Sequence, residues 1–178
     1  MYKCKKHKLA KDTLLTILLT LGKEWRVTHD FKPTQYLSPI WANSLHLTSG
    51  GNSEHYGART PGIWPSMGDP SKSYIASAVN GENSYIYRPD RPPVDVWTSV
   101  EISQTLEGER YMYRIIGGGQ EVHAVENTQP QEFQGVKVYA SDPWHEAQPG
   151  SIRNLVIETR LQVRWWTLLT LSRSEELT

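Results

Sequence analysis

The sequence predicts an all-β fold, an antiparallel β-sandwich, and three observations carry that prediction. Residues 110–127 read as the run RYMYRII, a GGGQ turn and the run EVHAVEN, two alternating strands joined by glycines that supply the positive φ a hairpin turn needs. Short alternating runs of the same kind flank it at turn-rich intervals, about eight to ten in all, the spacing of a sandwich or jelly roll. Beside these, the sequence supports at most one short helix, near the C-terminus.

In chain order, TLLTILLTLG (13–22) is the first apolar run, preceded by the basic segment MYKCKKHKLAKD. The pair reads as a basic leader ahead of a first strand, as the n- and h-regions of a secretory signal, or as a disordered start. It holds only about half of the ~20 apolar residues that a membrane-spanning helix requires, so no membrane insertion is expected. Trp25, Val27 and Phe31 alternate with Arg26, Thr28 and Asp30, a half-buried strand ending at Pro33. In SLHLTS, Leu45 and Leu47 share one face, and His46 and Thr48 the other. The Gly/Pro-dense stretch 55–72 is loop, with one short strand around Ile63 and Trp64.

SYIASAVN, a turn at 81–83 and SYIYRP form a second hairpin. In DVWTSVEISQ, Val96, Thr98, Val100 and Ile102 oppose Trp97, Ser99, Glu101 and Ser103, so one face is expected to enter the core. SIRNLVIET (151–159) is the last clear strand, and RLQVRWWTLLTLSRSEELT reads as a short amphipathic helix or a further strand. The expected organisation is a leader over 1–12, a sandwich over 13–159 and a tail over 160–178, whose Trp165 and Trp166 need burial somewhere.

Composition narrows function mainly by exclusion. Nineteen basic and nineteen acidic side chains balance to zero, which gives a polyanion no bulk attraction, so nucleic acid is not an expected partner. The single Cys4 forms no internal disulfide. Glu101 stands alone on its strand, without the carboxylate pair of a glycosidase, and GGG at 117–119 lies in a hairpin rather than before a helix. No enzyme is expected. The six histidines show no ligand spacing other than His46 with His55 across a loop, and read as surface residues.

The order W-x2-V-x-I, a polar loop, Y-x-Y-x-I, a glycine turn and a returning strand resembles the middle of a laminin G-like or galectin-like domain of the concanavalin A-like jelly-roll superfamily. The segments LGKEWRVTHDFKPT, LHLTSGGN and GVKVYASDPWHEAQPGSIRNLVIET are similar to modules of secreted multidomain animal proteins. The resemblance implies a secreted, non-catalytic module that binds glycan or an extracellular protein on a sheet face or loop rim. A structural or assembly domain is the alternative, and a glycoside hydrolase a distant third.

The galectin pattern takes His, Asn, Arg, Asn, Trp and Glu in that order, and His46, Asn52, Arg59, Asn80, Trp97 and Glu101 follow it, though with different spacings. For Trp97 the resemblance also implies a core tryptophan opening a strand. In the loop 139–150, Asp142 before Pro143 is suited to accept backbone N–H groups, and Trp144 to serve as a recognition plate. Asp142 and Glu146 also offer hard oxygens to Ca²⁺, although two carboxylates fall short of the six to eight oxygens calcium takes.

Overall fold

The structure is a computed structural model that describes residues 1–37, 39–66 and 68–160. Among the described residues it holds fourteen strands and no helix. The first sheet runs β1(Tyr2–Lys8), β14(Gly150–Arg160), β3(Glu24–Pro33), β9(Thr98–Glu107), β10(Arg110–Gly117), β11(Gln120–Glu126). The second runs β2(Leu14–Leu21), β12(Phe133–Tyr139), β5(Leu45–Thr48), β6(Gly62–Trp64), β7(Tyr74–Val79), β8(Glu82–Tyr87). Every pairing within the two sheets is antiparallel, and a short parallel pair, β4(Ala42–Asn43) with β13(Glu146–Ala147), closes one side. This is the antiparallel sandwich that the alternation predicts.

The period of two builds the core. Trp25, Val27 and Phe31 of β3 and Ile102 of β9 face Leu45 and Leu47 of β5 and Val136 and Val138 of β12, all buried in one cluster. Each such side chain contributes ~1.5–3 kcal/mol relative to exposure. Hairpin geometry fixes the registers: Gly118 (φ 58°) and Gly119 (φ 83°) form a two-residue turn between β10 and β11, with positive φ at both centres. The second hairpin turns at Asn80–Gly81 (φ 56° and 80°), not at 81–83, because Asn-Gly suits the same turn.

Three other expectations change. The basic segment expected to lie outside the sandwich supplies β1, paired along β14 from Tyr2↔Ile157 to Lys8↔Ser151. Tyr2 and Cys4 pack against the core while the lysines between and beside them point away. β9 begins at Thr98, so Trp97 and Val96 precede it, and Val96 is exposed rather than buried. Two of the six histidines, His29 and His46, are buried. Apart from Arg160, which ends β14, the tail with Trp165 and Trp166 lies outside the described residues.

Candidate functional site

The site follows from the outward side of β5. His46 alternates with core Leu45 and Leu47, so it points away from the partner sheet. Register sets Tyr139, His46, Gly62, Ala76 and Ile86 in one row across the second sheet. The row is small at Gly62 and Ala76, and the Trp64 ring fills the space; a Cβ on Gly62 would collide with that ring. Trp64 is fully buried, with its centroid 5.3 Å from His46, 5.7 Å from Tyr74 and 5.3 Å from His145.

A polar network fixes these rings. The Nε2 of His46 donates to the Ala58 carbonyl at 2.8 Å, and its Nδ1 donates to Asp142 Oδ2 at 2.8 Å. Asp142 also accepts from the backbone N–H of Trp144 (3.1 Å) and His145 (2.8 Å) and from His145 Nδ1 (2.9 Å to Oδ2). Burial pushes the Asp142 carboxyl up, but the hydrogen bonds and charge of His145 and His46 outweigh it and hold the group well below the usual carboxylate range. Asn43 ties the loop to the sheet: its Oδ1 accepts from the Asp142 N–H at 3.0 Å, and its Nδ2 donates to the carbonyls of Leu45 and Ile63. The chain reaches Asp142 through Ser141, which takes the left-handed conformation (φ 76°) that turns the carboxylate inward.

Two indoles remain exposed on this rigid bed. Trp144 is 43% exposed and lies 5.5 Å from His46 and 6.3 Å from Tyr139; Trp41 is 39% exposed and meets Tyr74 and Trp64 edge-on at 5.1 and 6.4 Å. The parallel bridges Glu146↔Ala42 and Ala147↔Asn43 bring the two tryptophan loops side by side, with half-buried His145 between them, 6.4 Å from Trp41.

Of the residues singled out from sequence, His46, Asn52, Arg59, Trp144 and Asp142 meet here. Arg59 donates to the Asn52 backbone and side-chain oxygens at 2.9 and 3.2 Å, and its guanidinium lies 4.5 Å above the Trp64 ring. The structure does not bring Trp97 and Glu101 to them. Glu101 belongs to the first sheet, and Trp97, just ahead of β9, is half-buried against that sheet under the Arg153 guanidinium at 4.2 Å, neither a core residue nor a bare plate. Glu101 lines a groove of about 430 Å³ with Glu24, Glu107 and Glu158, but Arg26 holds Glu158 and Arg114 holds Glu107.

The calcium expectation finds no donor set. Every Asp142 oxygen faces N–H donors, and Glu146 is turned to Lys11 at 3.1 Å. Among the described residues no group of three or more His, Cys, Asp or Glu side chains is placed to hold a metal ion. Sequence reasoning missed Trp41, Tyr74 and His145. Trp41 lies in an irregular loop with no periodicity to mark it, and only the β4–β13 pairing shows its neighbour.

No family model and no curated protein matches the sequence. Solved structures do match in fold. The CBM40 module of a Ruminococcus gnavus IT-sialidase, bound to α2,3-sialyllactose, superposes with TM-score 0.61 at 13% identity, over 96% of this chain and 97% of that one. Domain 4 of a Geobacillus stearothermophilus arabinanase, in complex with arabinotriose, gives 0.52 at 16% identity over 81% of this chain, which spans 64% of that domain's chain. A Caenorhabditis elegans galectin gives 0.50 at 10% identity, over 86% and 96%. These similarities show the fold, an antiparallel β-sandwich of jelly-roll type, consistent with the concanavalin A-like and galectin-like resemblance.

Proposed function

We propose that this domain is a non-catalytic glycan-binding module whose combining surface is the outer face of the second sheet. The observation that carries the reading is the pair of exposed indoles, Trp41 and Trp144, held by a network of buried His46 and Asp142 with half-buried His145. A sugar ring offers an apolar C–H face that stacks on indole, and fixed polar groups order its hydroxyls. With Nδ1 committed to Asp142, the Nε2 of His145 is the nitrogen left to meet a hydroxyl between the two plates. His46, Asn52 and Arg59 position the rings from below. Structural neighbours that carry arabinotriose or sialyllactose lend support to the glycan class.

Screening the full chain on a glycan array, once with millimolar calcium and once with chelator, tests the reading. Selective binding that survives chelation is expected, because Asp142 is occupied by nitrogen donors. A blank array from folded, monodisperse protein would reject it. The reading also places the module outside the cell, and detection of tagged chain in medium rather than lysate tests that part.

One observation favours the assembly alternative. Strand β2 exposes Ile17 (53%) and Leu19 (87%) along an edge that pairs with no other strand among the described residues, a template for another strand. Concentration-dependent dimerisation in sedimentation velocity, abolished by Leu19→Lys, would support it.

A further inference from the structure

The space between the two sheets is not filled throughout. Where the β10–β11 turn approaches the 88–98 connection, a cavity of about 340 Å³ opens, walled by Phe31, Val100 and Ile115 from the first sheet and Ile63 and Ile75 from the second. The ion pair of exposed Lys72 and Asp90, at 2.6 Å, marks its open side. Two buried polar side chains also line it. His29 is 3% exposed and its Nδ1 has no hydrogen-bond partner among the described residues; Ser73 is 4% exposed and its Oγ has none either.

Buried polar atoms are nearly always satisfied, by protein or by an occupant, and two orphans in one cavity ask for an occupant. Water meets only part of that demand. A water takes ~30 Å³ and needs two to four polar partners, whereas most of this wall is aliphatic or aromatic. An apolar body with a single polar end meets both requirements, and the volume falls within the ~300–1,000 Å³ of small-molecule sites.

We propose that this inter-sheet cavity is a second binding site, independent of the tryptophan face, for a small neutral alcohol. Its alkyl or aromatic body lies against Phe31, Ile63, Ile75, Val100 and Ile115, and its hydroxyl meets His29 Nδ1 and Ser73 Oγ. A hydroxyl both donates and accepts, so it serves either tautomer of a neutral imidazole. Burial pushes His29 down to about 4, with Asp30 opposing only in part, so the ring is neutral at pH 7. A carboxylate would lose its hydration beside His29 and Ser73, and of the two cations that line the cavity Lys72 is paired with Asp90 and Arg88 lies over the Tyr74 ring at 6.0 Å.

The test uses the full chain at pH 7, titrated with 1-octanol and separately with octanoate, and followed by the methyl NMR signals of Ile63, Ile75, Val100 and Ile115. Octanol is expected to shift these signals saturably, and octanoate to bind at least tenfold more weakly. His29→Leu removes an unpaired buried polar group, so it is expected to keep or raise the melting temperature while weakening octanol at least fivefold. Ser73→Ala should weaken it two- to fivefold, and serves alone if the leucine variant does not fold. Unmoved methyl signals at millimolar octanol, equal affinity for octanol and octanoate, or undiminished binding by the folded variants would each overturn the proposal.

Discussion

The two outer faces of the sandwich carry similar residue types and use them in opposite ways. On the first sheet the charges stay in solvent and pair with one another: Arg26 with Glu158, Arg153 with Asp30, and Arg114 with Glu107 and Glu121. Behind the second sheet's outer face the Asp142 carboxylate is fully buried against His46, and the rings that surround it carry two tryptophans out to solvent. Exposed ion pairs contribute little and leave no group unsatisfied, whereas a buried carboxylate must have every oxygen met. A sheet face is therefore prepared for recognition by what is buried beneath it, more than by the charge it displays.

The largest effect expected from that contrast is at Asp142. Asp142→Ala strips His46, His145 and two backbone N–H groups of their acceptor and should cost about 3–5 kcal/mol in urea unfolding, against about 1 kcal/mol or less for Glu158→Ala on the other face. Comparable losses from the two variants would break the comparison.

The acid limb of stability separates the interior from both faces. The unfolded chain protonates His29 near its ordinary 6.5 while the folded protein holds it to about 4, so stability should fall by about 3 kcal/mol as pH drops through that window. Asp142 acts in the same sense over a lower window, because its depressed carboxyl contributes stability above the ordinary carboxylate range that is lost as pH falls below it. Denaturant unfolding at pH 7, 5.5 and 4 should show the first loss in the parent chain and a much shallower one in His29→Leu, where His123, also lowered by burial, still contributes.

Smaller effects sharpen the contrast at the tryptophans. Trp144→Ala and Trp41→Ala should each weaken glycan binding about tenfold or more, ~1.4 kcal/mol, with little change in melting temperature, because both rings are already substantially in solvent. Trp97→Ala should leave binding unchanged. Smallest of all, a double-mutant cycle on Arg26 and Glu158 should give a coupling below about 1 kcal/mol that fades with added salt.

Much of the fold was legible because a period of two states which side chains face inward, as Leu45–His46–Leu47 shows. The same alternation was present in Tyr2–Lys3–Cys4–Lys5, but four lysines in seven residues read as a charge run, and only the β14 partner turns it into an edge strand. The site was legible in part. Asp142 before Pro143 has the turn chemistry observed, with the Trp144 N–H on its carboxylate, and His46 lies off the core as the alternation requires.

What the sequence hid was long-range register. The small row of Gly62 and Ala76 that seats Trp64 spans two strands, and the approach of Trp41 to His145 depends on a two-residue bridge between segments about a hundred positions apart. Trp97 followed the order of residues in the galectin pattern, but order along the chain does not fix the sheet on which a residue falls.

The most direct test of the account follows the seven indole N–H signals by NMR while a glycan selected on the array is added. The account predicts that Trp144 and Trp41 shift in proportion to saturation, and that Trp97, under Arg153, and Trp25, in the core, do not. Shifts at Trp97 with Trp41 and Trp144 unmoved would place recognition on the ion-paired face and contradict it.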